Sequence, residues 1–221
     1  MSLTEYLEVE SKRAEESRIC WRQELDLFCE LAEFYERLCA AIKVSDKKVM
    51  VPSELFLVVM KLMYGAASQI LRGRHSDAWA LTREAIEATA ISYRLWEHPE
   101  LIESYYQAYP NIGKTEDSSQ WKLSQAYYKN FSTGKLFDQE GETWDTLKHF
   151  YGMCSAMATH AGPGALASHE TRKNARFLFF LEVDEKEIKR HWYSLMAAYY
   201  EILKVYLRIL RGSWVGPEVG I

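Results

Sequence analysis

The chain of 221 residues is 48% hydrophobic, holds only 11 Gly and 5 Pro, and sets 27 basic against 31 acidic residues for a formal charge of −4. That length and apolar content can bury one full core, and the scarcity of Gly and Pro excludes a β-rich or disordered chain. The slightly acidic balance excludes global attraction to DNA or to an anionic membrane, so any polyanion site has to be local.

Apolar residues recur at helical spacing almost throughout. From about Thr4 to Lys43, the residues Trp21, Leu25, Phe28, Leu31, Tyr35, Leu38 and Ile42 return every three or four positions and predict one long N-terminal helix. Its first part is strongly charged between Val9 and Arg18, which predicts that residues 1–20 project as a helical arm or form a solvated helix end. Pro52 and Ser53 predict the next helix start, because a serine oxygen accepts from the free amides of a first turn. From Glu54 to Leu71 the helix is apolar nearly all round and belongs at the centre of a bundle. Gly73 then suits the left-handed conformation of a helix cap.

A third helix, starting at Ser76 and Asp77, stops before His98-Pro99, since a residue preceding proline is driven out of helical geometry. Its stripe of Ala78, Leu81, Ala85, Ala88, Ser92 and Leu95 is mostly small and predicts close helix packing. Shorter helices are expected over Pro99–Tyr109 and Asp117–Phe131. The tyrosines and phenylalanines from Tyr105 to Phe137 either belong to the core or wall a groove. A strong helix follows from Thr143 to Ala161. The last runs from Asp184 to Leu210, with Ile188, Trp192, Leu195, Tyr199, Ile202, Tyr206 and Ile209 inward. Between them, residues 175–183 read as a short strand or as the lead-in to the final helix. The fold class is therefore all-α: a single up-and-down helical bundle of about six to seven helices over residues 1–221, with a C-terminal tail at 212–221.

Cys20, Cys29, Cys39 and Cys154 form no C-x-x-C pair or zinc spacing, which predicts reduced thiols. The N-terminus lacks the apolar core of a signal peptide, and no unbroken apolar run of about 18 residues exists to span a bilayer. A cytoplasmic protein without a membrane partner is the expectation.

The chain has no phosphate loop, no dinucleotide fingerprint, no nucleophile elbow and no H-E-x-x-H. Glu187 and His191, four apart, offer at most one edge of a metal site, so neither metal nor cofactor is expected. Two polar places remain. On the third helix, Arg83 and Glu87 share an arc with Arg94, a carboxylate-fixed arginine suited to an anion or an ordinary intrahelical ion pair. On the Thr143–Ala161 helix, Ser155 precedes His160, which sits at a C-terminus that favours imidazolium, just ahead of Gly162-Pro163-Gly164. The plain alternative for His160 is a cap or a satisfied core residue.

Arg83 and Glu87, with Tyr151, Ser155, His160 and the proline that follows, resemble the pattern of an all-helical microbial family of undefined activity. In that family an Arg-x-x-x-Glu helix precedes a Tyr-x-x-x-Ser-x-x-x-x-His helix end. The likeness covers roughly Ser53 to Ile209 and implies a bundle in which these polar residues converge. The family is distantly similar to HEPN domains, many of which are ribonucleases. There an arginine followed, after four to six intervening residues, by a histidine places both side chains at a dimer cleft for metal-independent RNA cleavage. None of the six histidines of this chain has an arginine at that spacing on its N-terminal side. The expectation is a non-catalytic binding or interaction module, a homodimer, with Arg83, Glu87, Ser155 and His160 lining a pocket for a small anion or nucleotide; no catalytic residue is assigned. The alternative is a HEPN-like ribonuclease using His160 and Arg83, with RNA as partner only in that case.

Overall fold

The computed structural model describes residues 2–42, 47–108, 127, 129–159, 170–171, 176–177 and 185–211. These residues form an all-α bundle. Helices α1 (Leu3–Cys20), α2 (Arg22–Ala41), α3 (Lys47–Leu71) and α4 (His75–Glu97) come first, followed by the short α5 (Ile102–Ala108) and α6 (Thr133–Leu136). Then come α7 (Glu142–Cys154), which runs into a π turn at Ser155–Thr159, and α8 (Glu185–Arg211). A two-residue antiparallel pair, Glu170–Thr171 with Arg176–Phe177, lies between them.

Facing residues give the topology. Phe28 and Tyr35 of α2 meet Trp192 and Tyr199 of α8, and Trp79 and Ser92 of α4 meet His191 and Tyr206, so these three helices run the same way. Tyr93 with Trp144 and Arg83 with Tyr151 set α7 antiparallel to α4. The chain reversal at Gly73 sets α3 antiparallel to α4, with Gly65 under the Leu81 side chain. On α8, Trp192, Leu195, Tyr199, Ile202, Tyr206 and Ile209 are fully buried as their spacing predicts, while Ile188, expected inward with them, is half-buried against the core. On α4 the small-residue stripe continues as buried Thr82, Thr89 and Ser92. Their hydroxyls each donate at 2.8 Å to the carbonyl four residues back, which removes polar groups that close packing would strand. By length and composition α3 could cross a membrane, and in this bundle it buries Phe56, Val59, Met63 and Ala66 completely.

Two helix starts differ from the sequence expectation. The single N-terminal helix is broken at Trp21, whose φ of −108° and ψ of 32° leave helical space. Tertiary contact explains the break: Glu10 is buried and meets Arg74 at 3.1 Å, and Arg13 lies against Gly73, so α1 packs on the α3–α4 turn while α2 enters the core. Most of α1 still faces solvent, including Leu3, Leu7 and Ile19. Helix α3 begins at Lys47 rather than at Pro52. Proline so near a helix start removes few bonds, and Ser53 is no cap, since its hydroxyl donates to Val49 O at 2.7 Å.

Gly73 takes the predicted cap conformation, with φ of 73°. Gly73 N donates to Ile70 O and Arg74 N to Gln69 O, the two bonds of a Schellman motif. A Cβ there would sit 2.7 Å from Arg13 Nε. Gly73→Ala should therefore lower stability by about 1–2 kcal/mol in urea denaturation; an unchanged midpoint would refute this account of the turn.

Candidate functional site

Arg83 and Glu87 lie one turn apart on α4, but their side chains part. Arg83 crosses to α7, where its Nη2 donates to the Tyr151 hydroxyl at 2.9 Å and its guanidinium carbon lies 5.0 Å from the ring centroid. The Tyr151 bond, followed by the nearby Glu87 and Glu84 carboxylates, raises the Arg83 pKa against the opposing effect of desolvation. Its buried Nε has no hydrogen-bond partner among the described residues. Ser155 Oγ donates to the Tyr151 carbonyl at 2.8 Å. Arg83 and Ser155 thus reach opposite ends of one tyrosine. Cys154, beside them, is fully buried, and desolvation pushes its thiol up to about 12 against the opposing effects of a backbone hydrogen bond and then of Arg83. Such a thiol is no nucleophile at neutral pH. Arg94 turns to Lys135 O at 3.3 Å and Asp138 at 3.8 Å. His160 lies outside the described residues.

Glu87 instead borders a groove of about 600 Å³ between α3, α4 and α5. Val51, Leu55, Val58 and Leu62 of α3 face Ala88 and Ile91 of α4, and Tyr105, Tyr106 and Tyr127 wall the remaining side. Among the described residues, the charged ones that line it are Glu54, Glu84 and Glu87. Tyr106 donates to Glu54 Oε2 at 2.8 Å, and burial together with this bond raises its pKa, so it stays a protonated donor at neutral pH. Tyr105 packs edge-on against Tyr106 and Phe131. Sequence reading raised the tyrosines as a groove wall but missed Glu54. Its signal was the four-residue spacing of Glu54, Val58 and Leu62 on one face of α3.

A shallower hollow of about 530 Å³ lies at Phe150 and the basic start of α8, with Lys186, Lys189 and Arg190. Lys189 pairs with Glu185 at 3.0 Å and Arg190 with Glu187 at 3.9 Å, so neighbouring carboxylates return much of its positive charge. His191 does not join Glu187 at a metal edge. It is buried, accepts the Trp79 indole N–H on Nδ1 at 3.2 Å, and stacks on His75 at 4.4 Å between ring centroids. Among the described residues, no three His, Cys, Asp or Glu side chains gather in a way that could hold a metal ion. Comparison of the chain with family models, with curated proteins and with solved structures yields no match.

Proposed function

We propose that this chain is a non-catalytic helical binding module and that the α3–α4–α5 groove is its binding site. The observation that carries this reading is the groove itself. Its volume lies within the range of small-molecule sites, and its walls are mainly apolar and aromatic with a few convergent polar groups. Arg83, the anchor expected for a small anion or nucleotide, already holds Tyr151 across the α4–α7 interface.

A thermal-shift screen with a mixed set of small amines, alcohols and carboxylates tests the site. Some compounds should raise the Tm of the wild type and leave Val58→Trp unmoved; identical shifts in both would sink the proposal. Incubation with RNA tests the ribonuclease alternative. Intact RNA is expected, whereas cleavage lost in His160→Ala would establish that alternative.

The same reading includes a homodimer in a reducing, cytoplasmic setting. Leu57 and Tyr64 expose apolar surface on α3, and all four cysteines are free thiols. Light scattering should give twice the chain mass; a monomer at micromolar concentration removes the dimer.

A further inference from the structure

We infer that the occupant of the α3–α4–α5 groove is a small organic cation, an amine or quaternary ammonium carried on an apolar body. This inference rests on the groove being the binding site and adds the chemical class of what it binds. About 600 Å³ suits a molecule of that size, whereas a docked helix, about 10 Å across, needs a longer trough.

The charge pattern selects the sign. Among the described residues no Lys, Arg or His lines the groove, while Glu54 comes from α3 and Glu84 and Glu87 come from α4. An anion entering here meets a lining that carries three carboxylates, and a cation lowers their mutual repulsion. Arg83 shares α4 with two of them, and its guanidinium, though held by Tyr151 on the α7 side, is still felt by Glu87 and Glu84, so it offsets part of their charge without lining the groove.

The tyrosines supply the second element of recognition. An aromatic face attracts a cation through its quadrupole and covers the apolar body at the same time. The Tyr106–Glu54 bond fixes one ring and one carboxylate relative to each other, so part of the ordering cost is met before binding.

Three probes of similar size and different charge decide the matter: phenethylammonium, 2-phenylethanol and phenylacetate, titrated by calorimetry or NMR up to millimolar concentration. The expected order is cation first by about tenfold over the alcohol, with the carboxylate weakest, and added NaCl should weaken only the cation. Combining Glu54→Gln, Glu84→Gln and Glu87→Gln should bring the three probes together while circular dichroism stays unchanged. Val58→Trp, at a position 44% exposed and so tolerant of size, should abolish binding of all three. Equal binding of the probes that Val58→Trp removes would keep the site and overturn the cation. Tightest binding of phenylacetate would overturn it in favour of an anion. No binding, or binding indifferent to Val58→Trp, would overturn both the site and the ligand class. Self-association that Val58→Trp abolishes would make the groove an interface between copies and overturn the cation reading.

Discussion

Lowering the pH from 7.5 to 5 should cost this fold about 4 kcal/mol through His75 and His191, a large share of the 5–15 kcal/mol that holds a typical domain together. Both rings are buried, at 7% and 6% exposure. Desolvation, then the neighbouring His191 and Arg13, push the His75 pKa down to about 3. Desolvation, then Arg190, push that of His191 down to about 4. In the unfolded chain both rings titrate near 6.5, so as pH falls through that value the unfolded state takes up protons the folded state refuses. Their stabilising effect is full above about 6.5 and is lost progressively down to the folded pKa values. Urea denaturation at a series of pH values measures it. Neither ring nitrogen of His75 has a hydrogen-bond partner among the described residues, so His75→Phe should remove about half the pH dependence without stranding a partner. Equal wild-type stability at pH 7.5 and pH 5 would refute the assignment.

Tyr35→Ala should cost about 4 kcal/mol, the upper range for truncating a buried aromatic. Tyr35 is fully buried where α2, α3 and α8 meet. Its ring stacks on Phe56 with centroids 5.3 Å apart and planes 7° from parallel, and it meets Tyr199 edge-on at 6.5 Å. Its hydroxyl donates to Tyr199 O at 2.5 Å. Tyr35→Phe keeps the ring contacts and loses one bond, so about 1 kcal/mol is expected. The gap between the two variants in chemical denaturation separates packing from hydrogen bonding. A Tyr35→Ala protein within 1 kcal/mol of wild type would mean that the three helices do not depend on this junction.

Local chemistry was legible along the chain where it acts alone. Pro99 ends α4, Gly73 caps α3, and the α8 stripe buries as its spacing demands. Features imposed from elsewhere in the chain were not. Nothing at Trp21 signals a stop, because the apolar period runs through it; the break follows from the hold of Arg74 on Glu10. On a helical wheel Arg83, Glu87 and Arg94 share an arc, yet long side chains on one arc can reach different neighbours, and here they reach Tyr151, the groove and Asp138. Glu54 becomes a neighbour of Glu84 and Glu87 only after α3 and α4 pair. The His75–His191 stack likewise depends on two helices lying parallel.

The order of synthesis gives the bundle a delay. Helices α3 and α4 are consecutive and joined by a tight turn, so they can pair as soon as both have left the ribosome. Helix α2 is made before them and finds much of its partner surface on α8: the Tyr35 hydroxyl waits for a carbonyl 164 residues downstream. At bacterial to eukaryotic elongation rates that interval is about ten to thirty seconds. During it the face carrying Phe28 and Tyr35 has no Trp192 or Tyr199 to cover it. The nascent chain therefore passes through a sticky stage that ends only when the final helix emerges, and that stage is where chaperone capture or premature association would compete with folding.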